Sequence, residues 1–313
     1  MKNIYVLKKG HTGQLVTILQ ELLNINPKDG VFTARVEESV KAFQRSNRLL
    51  DDGVVGPMTW KALKYNPEEL DADTDITTSA AWIEQHRLPE GEFIKEETSK
   101  KWIFLHHTAG RHNPANTIDQ WAKDQRGRIG THYVIGGLPA SADLNNLTDK
   151  QKEWDGRILQ AIDDMHWGYH LGAVKSSAMH KQSLSIEICS AGSLTEKDGK
   201  FYTWYGEVVH PSQVSRLDTA YRGTKYYHSY TPAQIKALNA LLILLSNKHD
   251  INLRSGVVDL LRKNPTDLNH DAFEYREAAC TGNIKGVLTH GQVRKDKSDV
   301  FPQKELIQML IKL

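Results

Sequence analysis

Ten residues, Lys101 to Gly110, restrict the possible folds of this chain more than any other stretch. Trp102 to Leu105 is a short, bulky, apolar run of the kind that forms a strand buried on both faces. It breaks off at His106 and His107, and Thr108, Ala109 and Gly110 then turn the chain. A buried strand that ends in histidine at a glycine turn sets an imidazole at the lip of a sheet, where open α/β folds bind ligands. A neutral imidazole there is a metal-ligand candidate. A hydrogen-bonded structural histidine is the competing reading, so partners are required from elsewhere in the chain.

The chain's 313 residues are enough for two domains. The net charge of +2 conceals an uneven distribution. Residues 1–66 carry ten Lys/Arg against six Asp/Glu, residues 67–99 two against ten, and residues 100–313 twenty-eight against twenty-two. An acidic, core-poor middle between two mildly basic ends reads as a linker. The basic excess is too small and scattered for a nucleic-acid surface. Two cysteines, Cys189 and Cys280, without a CxxC exclude a disulfide scaffold and a Cys-rich zinc knuckle. Cys189 is expected as a small buried residue. The first ten residues hold too short an apolar run for a signal-peptide core, and no stretch reaches membrane-spanning length. Synthesis in the cytoplasm without stable membrane insertion is therefore expected, and an extracytoplasmic target would be reached by another route.

Leu15, Ile18, Leu19, Leu22 and Leu23 fall at helical spacing, and Val36, Val40 and Phe43 mark a second helix. Asp29-Gly30 and Asp52-Gly53 are turns 23 residues apart, each followed by two apolar residues and a helix. Pro57 suits a first helical position. This is a small internal repeat. Gly10, Gly13, Val16, Leu19, Gln20, Asp29, Gly30, Val40, Phe43, Gln44, Asp52, Gly53, Gly56, Thr59 and Leu63 resemble the three-helix peptidoglycan-binding module of wall hydrolases. The division expected is a binding domain at 1–66, an acidic linker at 67–95, and a catalytic domain at 96–313. The linker is expected to dock in part on the catalytic domain through Trp82, Ile83, Phe93 and Ile94.

In the catalytic domain, strands are expected at 102–105, 130–136, 156–162, 183–189 and 286–290. Thr231 and Gln234 make a capping-box start for a leucine-rich helix, and Pro302 opens a C-terminal one. Strands interleaved with helices predict an α/β domain on one central, mostly parallel sheet flanked by helices. The long connections 141–154, 193–230 and 252–285 are expected to be functional or to hold further structure.

His290 and Asp299, nine residues apart, complete a ligand set with His106. A catalytic zinc takes three such protein ligands and leaves one position open. In chain order, the strand into His106-His107-Thr108-Ala109, Gly130-Thr131-His132-Tyr133, Trp167-Gly168-Tyr169-His170, Ser185-Ile186-Glu187-Ile188, Thr231 to Gln234, and His290 to Asp299 resemble the second type of zinc N-acetylmuramoyl-L-alanine amidases. That family includes phage lysins and peptidoglycan-recognition proteins. The resemblance implies Zn2+ on His106, His290 and Asp299, with His107 packing rather than ligating. One branch of the family has a tyrosine where this chain has Thr131, which leaves Thr131 as a substrate contact only. The other branch uses a strand glutamate, here Glu187, whose isoleucine neighbours face the opposite way. Glu187 is then the general base, Lys297 the oxyanion partner, and His170 a substrate or oxyanion contact. The activity implied is cleavage between N-acetylmuramic acid and L-alanine of peptidoglycan by a monomeric enzyme of the phage-endolysin kind. The alternatives are a catalytically dead recognition protein, disfavoured by retention of Asp299, Glu187 and Lys297, and a delivered antibacterial amidase.

Overall fold

A computed structural model describes residues 6–11, 14–65, 83–265 and 270–313. Gly13, Trp82 and the linker up to residue 82 lie outside the described residues. Among the described residues, no helix is long and apolar enough to cross a membrane.

The N-terminal unit holds three helices, α1 (Gln14–Leu22), α2 (Ala34–Ser46) and α3 (Pro57–Ala62). Thr33 caps α2 by accepting from the Val36 amide, and Pro57 opens α3 after Gly56. Their apolar faces enclose Val16, Leu19, Phe32, Val36, Val40, Val55 and Trp60. The sequence repeat has a physical basis in two buried glutamines. Gln20 donates to the Asp29 carboxylate and accepts from the Gly30 amide. Gln44 does the same to Asp52 and Gly53. In each turn the aspartate also accepts from the amide two residues on. A buried polar side chain must be satisfied, and here each one fixes a turn.

The second unit is built on a six-stranded sheet. Its strands are β1 (Ile83–Gln85), β2 (Trp102–His107), β3 (Tyr133–Ile135), β4 (Ile158–Gln160), β5 (Ser183–Ile188) and, after five strands that belong to smaller sheets, β11 (Gly286–Thr289). They lie in the order β1-β4-β3-β5-β2-β11. Only β3 and β4 pair antiparallel; the other neighbours in this sheet run parallel. β2 lies between β5 and β11, and all six of its residues are buried. That position explains its unbroken apolar run, each large side chain adding roughly 1.5–3 kcal/mol by leaving water. β1 falls within the expected linker and forms the sheet edge, while Leu88 and Phe93 pack with Val134 and Leu159. The stretch from residue 83 thus docks more fully than its scattered apolar anchors suggest.

The segment 193–230 folds into two small antiparallel sheets. One is β6 (Thr195–Lys197), β7 (Lys200–Tyr202) and β8 (Val208–Val209); the other is the hairpin of β9 (Val214–Tyr221) and β10 (Thr224–His228). Helix Pro232–His249 starts with the expected capping box, Thr231 and Gln234 each bonding the other's amide. The C-terminal helix runs from Lys304 to Lys312.

Candidate active site

β2, β3, β5 and β11 run parallel, so their carboxyl ends share one edge of the sheet. Register then places the chemistry. His106 pairs with Glu187 across β2 and β5, so both side chains leave the same face. Thr289 pairs with Leu105, so His290, the next residue, stands beside His106. Thr289 and Gln292 form a capping box that turns the chain into the short helix His290–Val293 at that point. The loop after this helix returns, and the Gly291 amide bonds the Asp299 carbonyl at 3.0 Å. Gly291 has no room for a side chain, since an added Cβ would lie 2.6 Å from the Tyr221 hydroxyl.

Three donor atoms converge as a result. His106 Nδ1 lies 3.1 Å from His290 Nδ1 and 3.0 Å from Asp299 Oδ2, and His290 Nδ1 lies 2.9 Å from that same oxygen. All three residues are buried. The surrounding hydrogen bonds decide where the ring protons are. His290 Nε2 faces the Leu171 carbonyl at 3.2 Å, which can only accept. The Ser183 hydroxyl donates to the His180 carbonyl and so accepts from His170 Nε2 at 2.7 Å. His170 Nδ1 is left as an acceptor for His106 Nε2 at 3.0 Å. Neutral His106 and His290 thus both turn Nδ1 lone pairs toward a carboxylate oxygen. Three lone-pair atoms this close repel unless a cation, a proton or a metal ion, sits among them.

Their spacing fits a metal. Ligand bonds of 2.0–2.1 Å in a tetrahedral zinc site give ligand–ligand edges of about 3.3 Å, against the 2.9–3.1 Å found here. Electrostatics agree with that arrangement. Burial, opposed by Asp299, lowers the His106 pKa to about 4 and keeps the ring neutral. Burial alone would raise the Asp299 pKa, yet positive charge shared with the neighbouring imidazoles of His290 and His106 holds it well below the carboxylate range.

Glu187 is half-buried, and its Oε2 is buried without a hydrogen-bond partner. Burial first, then the Asp299 charge, raises its pKa well above the ordinary value, and Lys297 opposes this. Lys297 is half-buried in the loop that carries Asp299. His107 faces away from the cluster and meets the Tyr230 hydroxyl at 2.9 Å. Two residues expected at the substrate have their polar atoms engaged within the protein. Both ring nitrogens of His170 are engaged, by His106 and Ser183, so that it stands behind His106. Thr131 is 2% exposed and spends its hydroxyl on the Tyr133 carbonyl, so its side chain is not offered to a substrate. His132 is also structural, held between Ser185 and the His166 carbonyl.

Sequence reasoning passed over three supports. Ser183 shares the face of Glu187 by strand parity, a signal that was available in the sequence. Arg294 donates to the carbonyls of Leu171 and Ala173. Gly172 is required there, since its φ is +64° and a Cβ would meet that guanidinium at 2.5 Å. Arg222, at the tip of the β9–β10 hairpin, donates to the carbonyls of Gly291 and Lys295 and pairs with Glu274 at 3.0 Å. Nothing in its local sequence points to that role.

The family model for N-acetylmuramoyl-L-alanine amidases matches residues 97–299. This chain belongs to that amidase family. A peptidoglycan binding domain model matches residues 12–63. Among solved structures, a peptidoglycan-binding protein from Clostridioides difficile is 32% identical over 19% of this chain, with a TM-score of 0.18. The chain spans only 40% of that protein's length. PlyL is 12% identical, with 73% of this chain and 96% of PlyL covered and a TM-score of 0.37. The Apis mellifera recognition protein PGRP-SA is 14% identical, with coverages of 72% and 94% and a TM-score of 0.37. The amidase fold, with its mixed sheet and flanking helices, and a helical peptidoglycan-binding domain before it are thus both present.

Proposed function

We propose that this amidase is a zinc enzyme that cleaves the bond between the lactyl group of N-acetylmuramic acid and L-alanine, and that it serves as a phage lysis enzyme. The observation that carries the reading is the convergence of His106, His290 and Asp299 within 3.1 Å of one another at the carboxyl edge of the sheet. These three residues would hold Zn2+, with residues 1–66 anchoring the enzyme to peptidoglycan and, since residues 83–95 join the second unit, residues 67–82 left to act as the linker. When bound, zinc supplies Lewis acidity toward the amide carbonyl and toward water.

The protein's own groups do the rest. Glu187 shares the His106 face of the sheet, and its unpartnered Oε2 is free to take a proton from the attacking water. Its raised pKa makes the protonated carboxyl a competent donor to the leaving amine. The Lys297 ammonium balances negative charge on the carbonyl oxygen, a contribution worth about 2.7–4 kcal/mol for comparable donors. His170 holds the His106 ring in one tautomer throughout.

The phage assignment rests on joining a wall-binding module to an amidase domain. Such an enzyme acts on the wall once the membrane is breached. End-group analysis of digested sacculi tests the bond. New L-alanine amino termini are expected without new reducing sugar ends, and Glu187→Gln should lose about 10²–10⁴-fold in rate while retaining zinc. New reducing ends, or unchanged turnover in the variant, would overturn the assignment of bond or base.

A further inference from the structure

Trp204 is the most exposed aromatic side chain among the large hydrophobics of the described residues, at 72%. It is nonetheless held in place. Its indole N–H donates to the Ala109 carbonyl at 2.6 Å, and its ring meets Tyr205 edge-on at 5.4 Å and 86°. Tyr205 in turn carries the Arg111 guanidinium 4.7 Å above its ring, and Arg111 pairs with Glu207 at 2.9 Å. So little burial of an indole contributes little to folding. Holding the ring out in water in one orientation has to be explained differently.

Location supplies the explanation. Ala109 is three residues beyond His106, at most about 10 Å of extended chain from the metal-site strand. The turn between β7 and β8, which carries Trp204, is thus tied to the chain just beyond the end of the strand that carries His106. Beside it stand a planar guanidinium and a planar carboxylate. A pyranose ring fits such a surface, because its axial C–H face is apolar and weakly positive and so matches the negative face of an indole. Its equatorial hydroxyls need donors and acceptors at the rim, which Arg111 and Glu207 provide.

We propose that Trp204, rimmed by Arg111 and Glu207, is a saccharide subsite that stacks on an amino-sugar ring of the glycan strand. The inference rests on the peptidoglycan-amidase reading but concerns the sugar rather than the bond cut. Binding is therefore measured apart from cleavage. The full chain, as wild type, Trp204→Ala and Trp204→Phe, is titrated calorimetrically with a tetrasaccharide of N-acetylglucosamine. Any contribution of the N-terminal module is common to all three. Trp204→Ala should weaken the catalytic-unit component at least tenfold, while Trp204→Phe, which keeps an aromatic face, should stay within about threefold. On sacculi, the loss in Trp204→Ala should fall on KM rather than kcat. Equal saccharide affinity in wild type and Trp204→Ala, or a kcat loss without a KM change, would overturn the subsite. Trp204-dependent saccharide binding without release of L-alanine termini would uphold the subsite and sink the amidase assignment instead.

Discussion

At the scale of single residues, the site depends on where protons sit. His170 takes its orientation from Ser183 and passes it to His106, leaving one nitrogen of His106 free for a cation. Partners of this kind typically change metal affinity by 10–100-fold. His170→Ala is therefore expected to bind zinc about 10–100-fold more weakly in a chelator competition, and an unchanged affinity would remove His170 from the account. A second residue-scale expectation lies away from the site. Lys100 is 6% exposed and donates to Thr98 Oγ1 and to the carbonyls of His166 and Lys181. Burial nevertheless lowers its pKa from 10.5 to about 8. Folding thus disfavours the charged form, and the penalty is complete below about pH 8. Between that value and 10.5 the unfolded chain binds the extra proton, so stability rises with pH across the window. Denaturant unfolding of wild type, compared with Lys100→Met, should show that rise in the wild type alone, by up to about 3 kcal/mol. Parallel pH profiles would contradict it.

Structural elements bring the ligands together, and they were unequally legible in the sequence. The end of β2 could be read as a candidate only, because an apolar run stopping at histidine and a glycine turn also suits a hydrogen-bonded structural ring until partners are found. His290 and Asp299 could be read from their nine-residue spacing once a first ligand was in hand. The role of His170 could not, because it depends on contacts to residues 13 and 64 positions away. β1 is hidden in the acidic stretch because three residues carry no period, and the sheets of 193–230 are too short and too polar to announce themselves. Their function emerges only in three dimensions. The β9–β10 hairpin reaches the loop 290–299 through Arg222, whose two carbonyl contacts pin the segment between the two ligands. Hydrogen bonds from a charged donor contribute about 1.5–3 kcal/mol each. Arg222→Ala should accordingly lower zinc affinity by roughly tenfold, and Arg222→Lys should restore it only in part, because an ammonium cannot span both carbonyls as a planar fork does. Elemental analysis after dialysis against a graded chelator series measures this, and wild-type retention in Arg222→Ala would show the hairpin to be dispensable.

For the whole molecule, the division of labour follows the charge distribution. The basic N-terminal unit is a peptidoglycan-binding fold stabilised by its paired glutamine-bound turns, and the second unit is an amidase domain. Joining a polymer anchor to a hydrolase raises the local concentration of bonds to be cut, without adding a contact at the reacting centre. That arrangement suits an insoluble wall, whereas soluble fragments need no anchor. The proposed function depends on one cation that His106, His290 and Asp299 would hold. The most direct measurement is the release of L-alanine amino termini from purified sacculi by the full chain, before metal removal, after complete removal, and after zinc is restored. The account predicts that release stops with removal and returns with stoichiometric zinc. Undiminished release by the metal-free protein would contradict it.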